Sequence, residues 1–427
     1  MNRDEWKQKL AQDEFLPVFE QLYGTKKGVL LAQKERYRKA VESFCGLYPD
    51  REDIRVFSAP GRTEIGGNHT DHQHGCVLAA AVQLDAIAVV AFHEDKVIRI
   101  CSEGYWPFTV DLSDLSVQEG EKGSGAIVRG IVAKFAERGV TVGGFDVYSC
   151  SDVMSGSGIS SSAAFETLIG TVIDTHYNDG QAGAVEIAKI GQYAENVYFG
   201  KKCGLMDQMA SSVGGLVFID FEDTGAPVIT PFAFDFEQAG YCICVTDTGG
   251  SHANLTPDYV AVREEMEAVA AQFGKEYLRQ VDEAEFYREL PNLRKHCSDR
   301  AILRAVHFFD DNRRAKEEAE ALRAGDVEKF LTLVQASGDS SEALLQNLYS
   351  TSAPTEQAIP LGVMVSKRIL GGKGAVRVHG GGFAGTIQAF VPTSLTETYV
   401  AEMERVFGGG ACYVFRIRPV GGTEVMV

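Results

Sequence analysis

The chain has 427 residues, 45% hydrophobic and 23% charged, an ordinary globular composition with enough length for two hydrophobic cores. A formal net charge of -18 disfavours general nucleic-acid or anionic-membrane binding, yet leaves room for a local basic pocket that holds a phosphate. Apolar runs such as Cys76 to Phe92 are broken by Gln83 and Asp85 and suit no membrane span, the charged N-terminus is no signal peptide, and nine cysteines without CxxC spacing fit a reducing cytoplasm.

Residues 1–46 read as amphipathic helices that form an N-terminal layer. A first strand, Ile54 to Ser58, enters the dense segment APGRTEIGGNHTDHQHG at 59–75. VLAAAVQLDAIAVVAF and KVIRICSEG are strands, the former too apolar for an exposed edge. VDLSDLS carries turn residues, 123–138 is a helix, and Gly143 to Ser149 is a strand. That strand feeds MSGSGISSS and then AAFETLIGTVID, a helix with an apolar face.

Small residues let a backbone approach a ligand closely, and the first helical turn offers N–H groups with no intrahelical partner. With the positive end of the helix dipole, the Gly/Ser run makes an anion-binding arrangement suited to phosphate. The same residues also suit a Ser-rich N-cap on an ordinary core helix. No lysine completes a GxxxxGK[ST] pattern, so a Walker loop is excluded.

Helical spacing continues over 181–200 and from Gly204 to Val213, followed by strands at 214–221 and 239–247. Pro257 opens a helix to Phe273, and residues 277–350 are almost entirely helical. The tail changes period: AVRVH and TIQAFVP are strands, ETYVAEMERVFG a helix, CYVFRIRP a last strand. Helices before a β-β-α-β ending suggest a ferredoxin-like layer, with a soft domain boundary near 225.

Three segments, APGRTEIGGNHTDHQHG, SGSGISSSAA (155–164) and VHGGGFAGT (378–386), together resemble the GHMP small-molecule kinases, and the first resembles the galactokinase branch. The resemblance continues through AENVYFGKKCGLMDQMASSVGG (194–215) and DTGGSHANLTPDYVAVR (247–263). It implies an α+β, two-domain GHMP kinase fold: a ribosomal-protein-S5-domain-2-like N-terminal domain over 1–225 with the sugar and phosphate-loop motifs, and a ferredoxin-like C-terminal domain over 226–427 with the third glycine-rich motif. The implied activity is ATP- and Mg²⁺-dependent phosphorylation of the anomeric hydroxyl of galactose by a cytoplasmic monomer, with no nucleic-acid or membrane partner.

By that resemblance Asp207 is the catalytic base and Arg62 the cation that steadies it; read alone, they are a helix-terminal acid and a surface arginine. A carboxylate next to a permanently charged guanidinium suits proton acceptance during phosphoryl transfer. Glu195 and Ser161 are implied for Mg²⁺, a hard cation that takes oxygen ligands and keeps waters. The run Ser155, Gly156, Ser157, Gly158, Ile159, Ser160, Ser161, Ser162 and Ala163 is implied for the nucleotide phosphates, and which serine reaches the metal stays open. Arg62, Asn68, His69, Asp71, Gly204, Asp207 and Tyr259 are implied for the sugar, Tyr259 following His252 at the family's spacing.

Two other readings are weaker. His69, His72 and His74 lack the further ligand that completes a familiar zinc spacing. Gly380, Gly382 and Gly385 fit GxGxxG, but a strand follows where a dinucleotide fold needs a helix. The chain departs from the galactokinase pattern at Glu64, Asn68, His72, Ala384 and Thr386. Asn68 stands where the family's glutamate meets the sugar C6 hydroxyl, so the charge there is lost and a galacturonate substrate becomes a rival. Alternatively, Glu64 restores the acceptor and galactose remains the substrate. L-arabinose, an N-acetylated hexosamine and a non-catalytic sugar sensor are the further alternatives.

Overall fold

The computed structural model describes residues 1–153, 159–201, 203–250 and 255–427. Three helices, α1 (Arg3–Ala11), α2 (Leu16–Tyr23) and α3 (Lys27–Leu47), form the N-terminal layer. The first sheet follows with β1 (Arg55–Gly66), β2 (Cys76–His93), β3 (Val97–Ser102), β4 (Phe108–Asp111), then α4 (Ser124–Glu137) and β5 (Gly144–Ser151). Helices α5 (Ser161–Tyr177), α6 (Gly183–Tyr193) and α7 (Met206–Val213) precede β6 (Leu216–Asp220) and β7 (Val228–Phe232). A wide π-helical turn, Ala194–Phe199, prolongs α6.

Strand β2 explains its own composition. Ala86, Ala88 and Val90 pack with α4 and α5 residues such as Ile131 and Ile169, while Ile87, Val89 and Ala91 pack with Tyr37, Val41 and Phe44 of α3. Both faces are buried, so the alternation of apolar and polar residues disappears. The first half of β2 pairs with β6, the second with β5, and β1 runs antiparallel along both. The β1–β2 register shifts between Pro60 and Arg62, a bulge of the kind that re-aims a side chain.

The second sheet is built from β8 (Tyr241–Asp247), β9 (Ala375–Val378), β10 (Thr386–Pro392) and β11 (Cys412–Phe415), in the antiparallel order β11-β8-β10-β9. Between β8 and β9 come α8 (Thr256–Ala271), α9 (Glu283–Arg288), α10 (Leu290–His296), α11 (Asp299–Ala324), α12 (Val327–Ser340) and α13 (Ala358–Leu370). Helix α14 (Thr396–Phe407) links β10 to β11, which completes the expected ferredoxin-like order. Two sheets flanked by helices give the mixed α+β, two-layer plan that the resemblance implies.

Four elements went unread in the sequence: β4, β7, α13 and β12 (Thr423–Glu424). Strand β7 pairs with β6 and β12 returns to β1, so the first sheet extends past residue 225 and reclaims the chain's end. Among the described residues no helix is long and apolar enough to cross a membrane.

Candidate active site

The β1 bulge and the first turn of α7 bring together residues 145 positions apart. Arg62 Nε donates to Asp207 Oδ1 at 2.7 Å and Nη2 to Oδ2 at 2.9 Å, a two-pronged pair. Gly61 permits this approach: a Cβ there would lie 2.8 Å from Ile159 Cγ2, and the Arg62 N–H donates to Ile159 O at 3.0 Å. The pair thus sits against the start of α5. Burial acts to raise the Asp207 carboxyl, but Arg62 and, more weakly, the Ser160 hydroxyl and Lys201 hold it below its ordinary value. Its side chain is still 30% exposed, so an ionised acceptor reaches solvent.

Asp71, in a short turn after Thr70, stands opposite Gly204, where a Cβ would fall 2.4 Å from Asp71 Oδ2. Burial raises the Asp71 carboxyl, and the nearby Asp207 charge adds to the rise. His69 adopts a left-handed conformation (φ 58) and donates from Nε2 to Gly381 O at 2.9 Å. A carbonyl only accepts, so His69 Nδ1 is the acceptor for His72 Nε2–H at 3.2 Å. Burial pushes His69 down to about 4 and keeps the relay neutral. Tyr259 donates to Gly382 O at 2.9 Å, and its ring leaves no space for a Cβ on Gly381. The third glycine-rich turn, with Gly380, Gly382 and Gly385 at φ 69, 78 and 89, therefore closes over the first motif. His252 lies outside the described residues.

Asn68 is placed by contacts that its sequence position does not announce. Its side chain is fully buried: Nδ2 donates to Glu64 Oε1 at 3.0 Å and Gly380 O at 2.7 Å, while Oδ1 accepts from Asn347 Nδ2 at 2.9 Å. These bonds occupy both hydrogens of the amide and tie the first motif to Asn347 and the third glycine-rich turn. Glu64 is no substitute. It is buried against Arg377 as well as Asn68, and burial pushes its carboxyl up to about 7 despite that arginine.

On the phosphate side, Ser160, Ser161, Ser162 and Ala163 form the entry and first turn of α5, with Ile159 buried beneath them. The sequence expectation for Ser155, Gly156, Ser157 and Gly158 lies outside the described residues. Glu195 sits in the π-helical turn, only 3% exposed, with Lys201 Nζ donating to its Oε1 at 3.1 Å. Three neighbours escaped the sequence reading: Lys201, Gln208 and Glu166. Gln208 Nε2 donates to Glu195 Oε2 at 3.0 Å and to Glu166 Oε2 at 2.9 Å. Burial and the adjacent Glu195 charge push Glu166 up to about 8. A lone acid inside the apolar AAFETLIG stretch was the signal available for Glu166.

The oxygen donors fit Mg²⁺, and buried Glu166 Oε1 and Gln208 Oε1 have no partner among the described residues. No group of three or more His, Cys, Asp or Glu suited to holding a metal occurs among the described residues, but Mg²⁺ bound through water and phosphate needs no such cage. The three histidines do not converge on a zinc site either, since His74 stacks on Tyr277.

Residues 42–92 match the galactokinase galactose-binding signature, and residues 126–215 match the GHMP kinases N terminal domain. Among solved structures, Lactococcus lactis galactokinase complexed with galactose is 24% identical, with a TM-score of 0.75 over 90% of this chain and 98% of that one. The Methanococcus jannaschii mevalonate kinase is 13% identical, with a TM-score of 0.60 over 86% of this chain and 98% of its own. A D-glycero-D-manno-heptose 1-phosphate kinase from Bacteriodes thetaiotaomicron is 14% identical, with a TM-score of 0.57 over 88% and 99%. Residues 42–92 and 126–215 thus carry these two signatures, and the fold is the one shared by the solved GHMP kinase structures.

Proposed function

We propose that this protein is an ATP-dependent sugar-1-kinase whose substrate is galactose. The carrying observation is the Arg62–Asp207 pair, which keeps an ionised carboxylate in the cleft beside Asp71 and Gly204 and against the start of α5. Asp207 accepts the proton of the anomeric hydroxyl as that oxygen attacks the γ-phosphate, and Arg62 offsets the charge that develops. Asp71 accepts from ring hydroxyls and orients the sugar, with Tyr259 and His69 supporting the glycine turn that covers it. The α5 N-terminus and the segment 155–159 cradle the phosphates, and Glu195 with Ser161 holds Mg²⁺. When bound, Mg²⁺ neutralises charge on the transferring phosphates. Nine free cysteines suit work in a reducing compartment.

One observation favours a second substrate reading. With Asn68 turned inward and Glu64 sealed, neither supplies the carboxylate that the family uses at the C6 end. A sugar with a C6 carboxylate meets less repulsion here than in a galactokinase carrying that glutamate. ADP release with Mg·ATP, compared as kcat/KM across D-galactose, D-galacturonate, L-arabinose, D-glucose and N-acetylgalactosamine, separates the readings. Galactose is expected to lead. Galacturonate in first place would overturn the substrate assignment, and silence on every sugar would favour a sugar-binding sensor.

A further inference from the structure

Behind the proposed metal carboxylate lies an arrangement that a packing role does not explain. Glu166 from α5, Glu195 from the π-helical turn and Gln208 from α7 are 0%, 3% and 1% exposed. Both carboxylates accept from one amide nitrogen, at 2.9 and 3.0 Å, which uses both of its hydrogens. Glu166 Oε1 and Gln208 Oε1 are left buried with no partner among the described residues. Helix α6 keeps a glycine to admit the cluster: a Cβ on Gly191 would sit 3.1 Å from Glu166 Cβ and Oε2 and 3.4 Å from Gln208 Cγ. Buried polar atoms are normally satisfied, and two acids on one neutral donor ask for a cation. Lys201, whose side chain is 63% exposed, supplies one at Glu195 Oε1 from the solvent side.

We propose that Glu166 and Gln208 are positioning residues for a divalent cation at Glu195: Gln208 fixes the Glu195 carboxylate, and Glu166 places a second carboxyl behind it that strengthens cation binding. Lys201 then occupies the Glu195 oxygen until the cation displaces it. The idea rests on the kinase reading for the identity of the cation, but it can be tested without turnover.

The experiment is a Mn²⁺ titration of the full chain with ADP present, read by electron paramagnetic resonance. Glu166→Gln, which keeps the volume, is expected to raise the Mn²⁺ dissociation constant about tenfold or more, as loss of an outer-shell partner typically does. Galactose affinity and Tm are expected to stay near wild type, and kcat to recover at high Mg²⁺. Glu166→Leu is the second variant, and it should weaken Mn²⁺ in the same way without lowering Tm greatly. Mn²⁺ affinity within twofold of wild type in both variants would overturn the proposal. So would parallel losses of Mn²⁺ affinity, sugar affinity and Tm, which mark a packing role. If no sugar is phosphorylated yet Glu166→Gln still weakens Mn²⁺, the kinase reading falls and this one stands.

Discussion

Replacing Asp207 with Asn is expected to lower kcat by about 10²–10⁴-fold, the usual contribution of a positioned general base, while KM for the sugar changes little. Asparagine keeps the shape and can still accept from one Arg62 nitrogen, so the geometry of the pair at 2.7 and 2.9 Å is largely preserved. What disappears is the proton acceptor. The pH profile adds an independent reading. Burial alone would raise the Asp207 carboxyl, and Arg62 reverses that shift to leave it below its ordinary value. The acid limb of kcat/KM in the wild type should therefore fall below about pH 4, the usual carboxylate range. In Arg62→Met the lowering is gone and burial remains, so the limb moves toward neutral pH. A limb that stays in place would show that Asp207 does not govern it.

The largest stability loss is expected at Asp85, far from the chemistry. This fully buried carboxylate accepts from Tyr23 at 2.6 Å, Arg36 at 2.6 Å, Arg418 at 2.9 Å and Ser58. It ties the N-terminal helices, β2 and the C-terminal tail to one point. Asp85→Ala strands Arg418, itself 0% exposed, so unfolding should show a loss of about 3–5 kcal/mol. Asp85→Ala with Arg418→Met should regain part of that, because removing both charges leaves no unpaired ion. Burial opposes the Asp85 charge, but Arg36 and Arg418 outweigh it and the carboxyl sits below its ordinary value. Its stabilisation is thus fully present above about pH 4 and is lost as pH falls through the folded-state value. Chemical denaturation followed by circular dichroism, at neutral pH and at successively lower pH, checks both parts. A single variant as stable as wild type would remove Asp85 from its central place.

How much of this was legible in the sequence depended on the range of the interaction. The doubly buried β2, helix α5 and the ferredoxin-like ending are local patterns of apolar period and turn chemistry, and they emerged correctly. Strand β12 is two residues long and exists only because β1 offers an edge, so no local pattern marks it. Helix α13 carries Pro360 and Gly362 in AIPLGVMVSKRIL, which masks its helical period. At the site, motif resemblance brought Arg62 and Asp207 together across 145 residues. The contacts of Asn68 lay beyond local reading. Its partners Asn347 and Gly380 are 279 and 312 residues away, and only the packed chain brings them to the amide. Gln208 stood beside Asp207 in the motif, yet its role depends on Glu166, 42 residues earlier on another helix.

The most direct measurement is ³¹P nuclear magnetic resonance of the product formed from galactose, Mg²⁺ and ATP, with the Asp207→Asn protein as control. A sugar phosphate coupled to the anomeric proton, formed by the wild type and not by the variant, is the expected result. Phosphate on any other carbon, or ADP formed equally fast without sugar, would contradict the assignment of Asp207 and Arg62 to the anomeric hydroxyl.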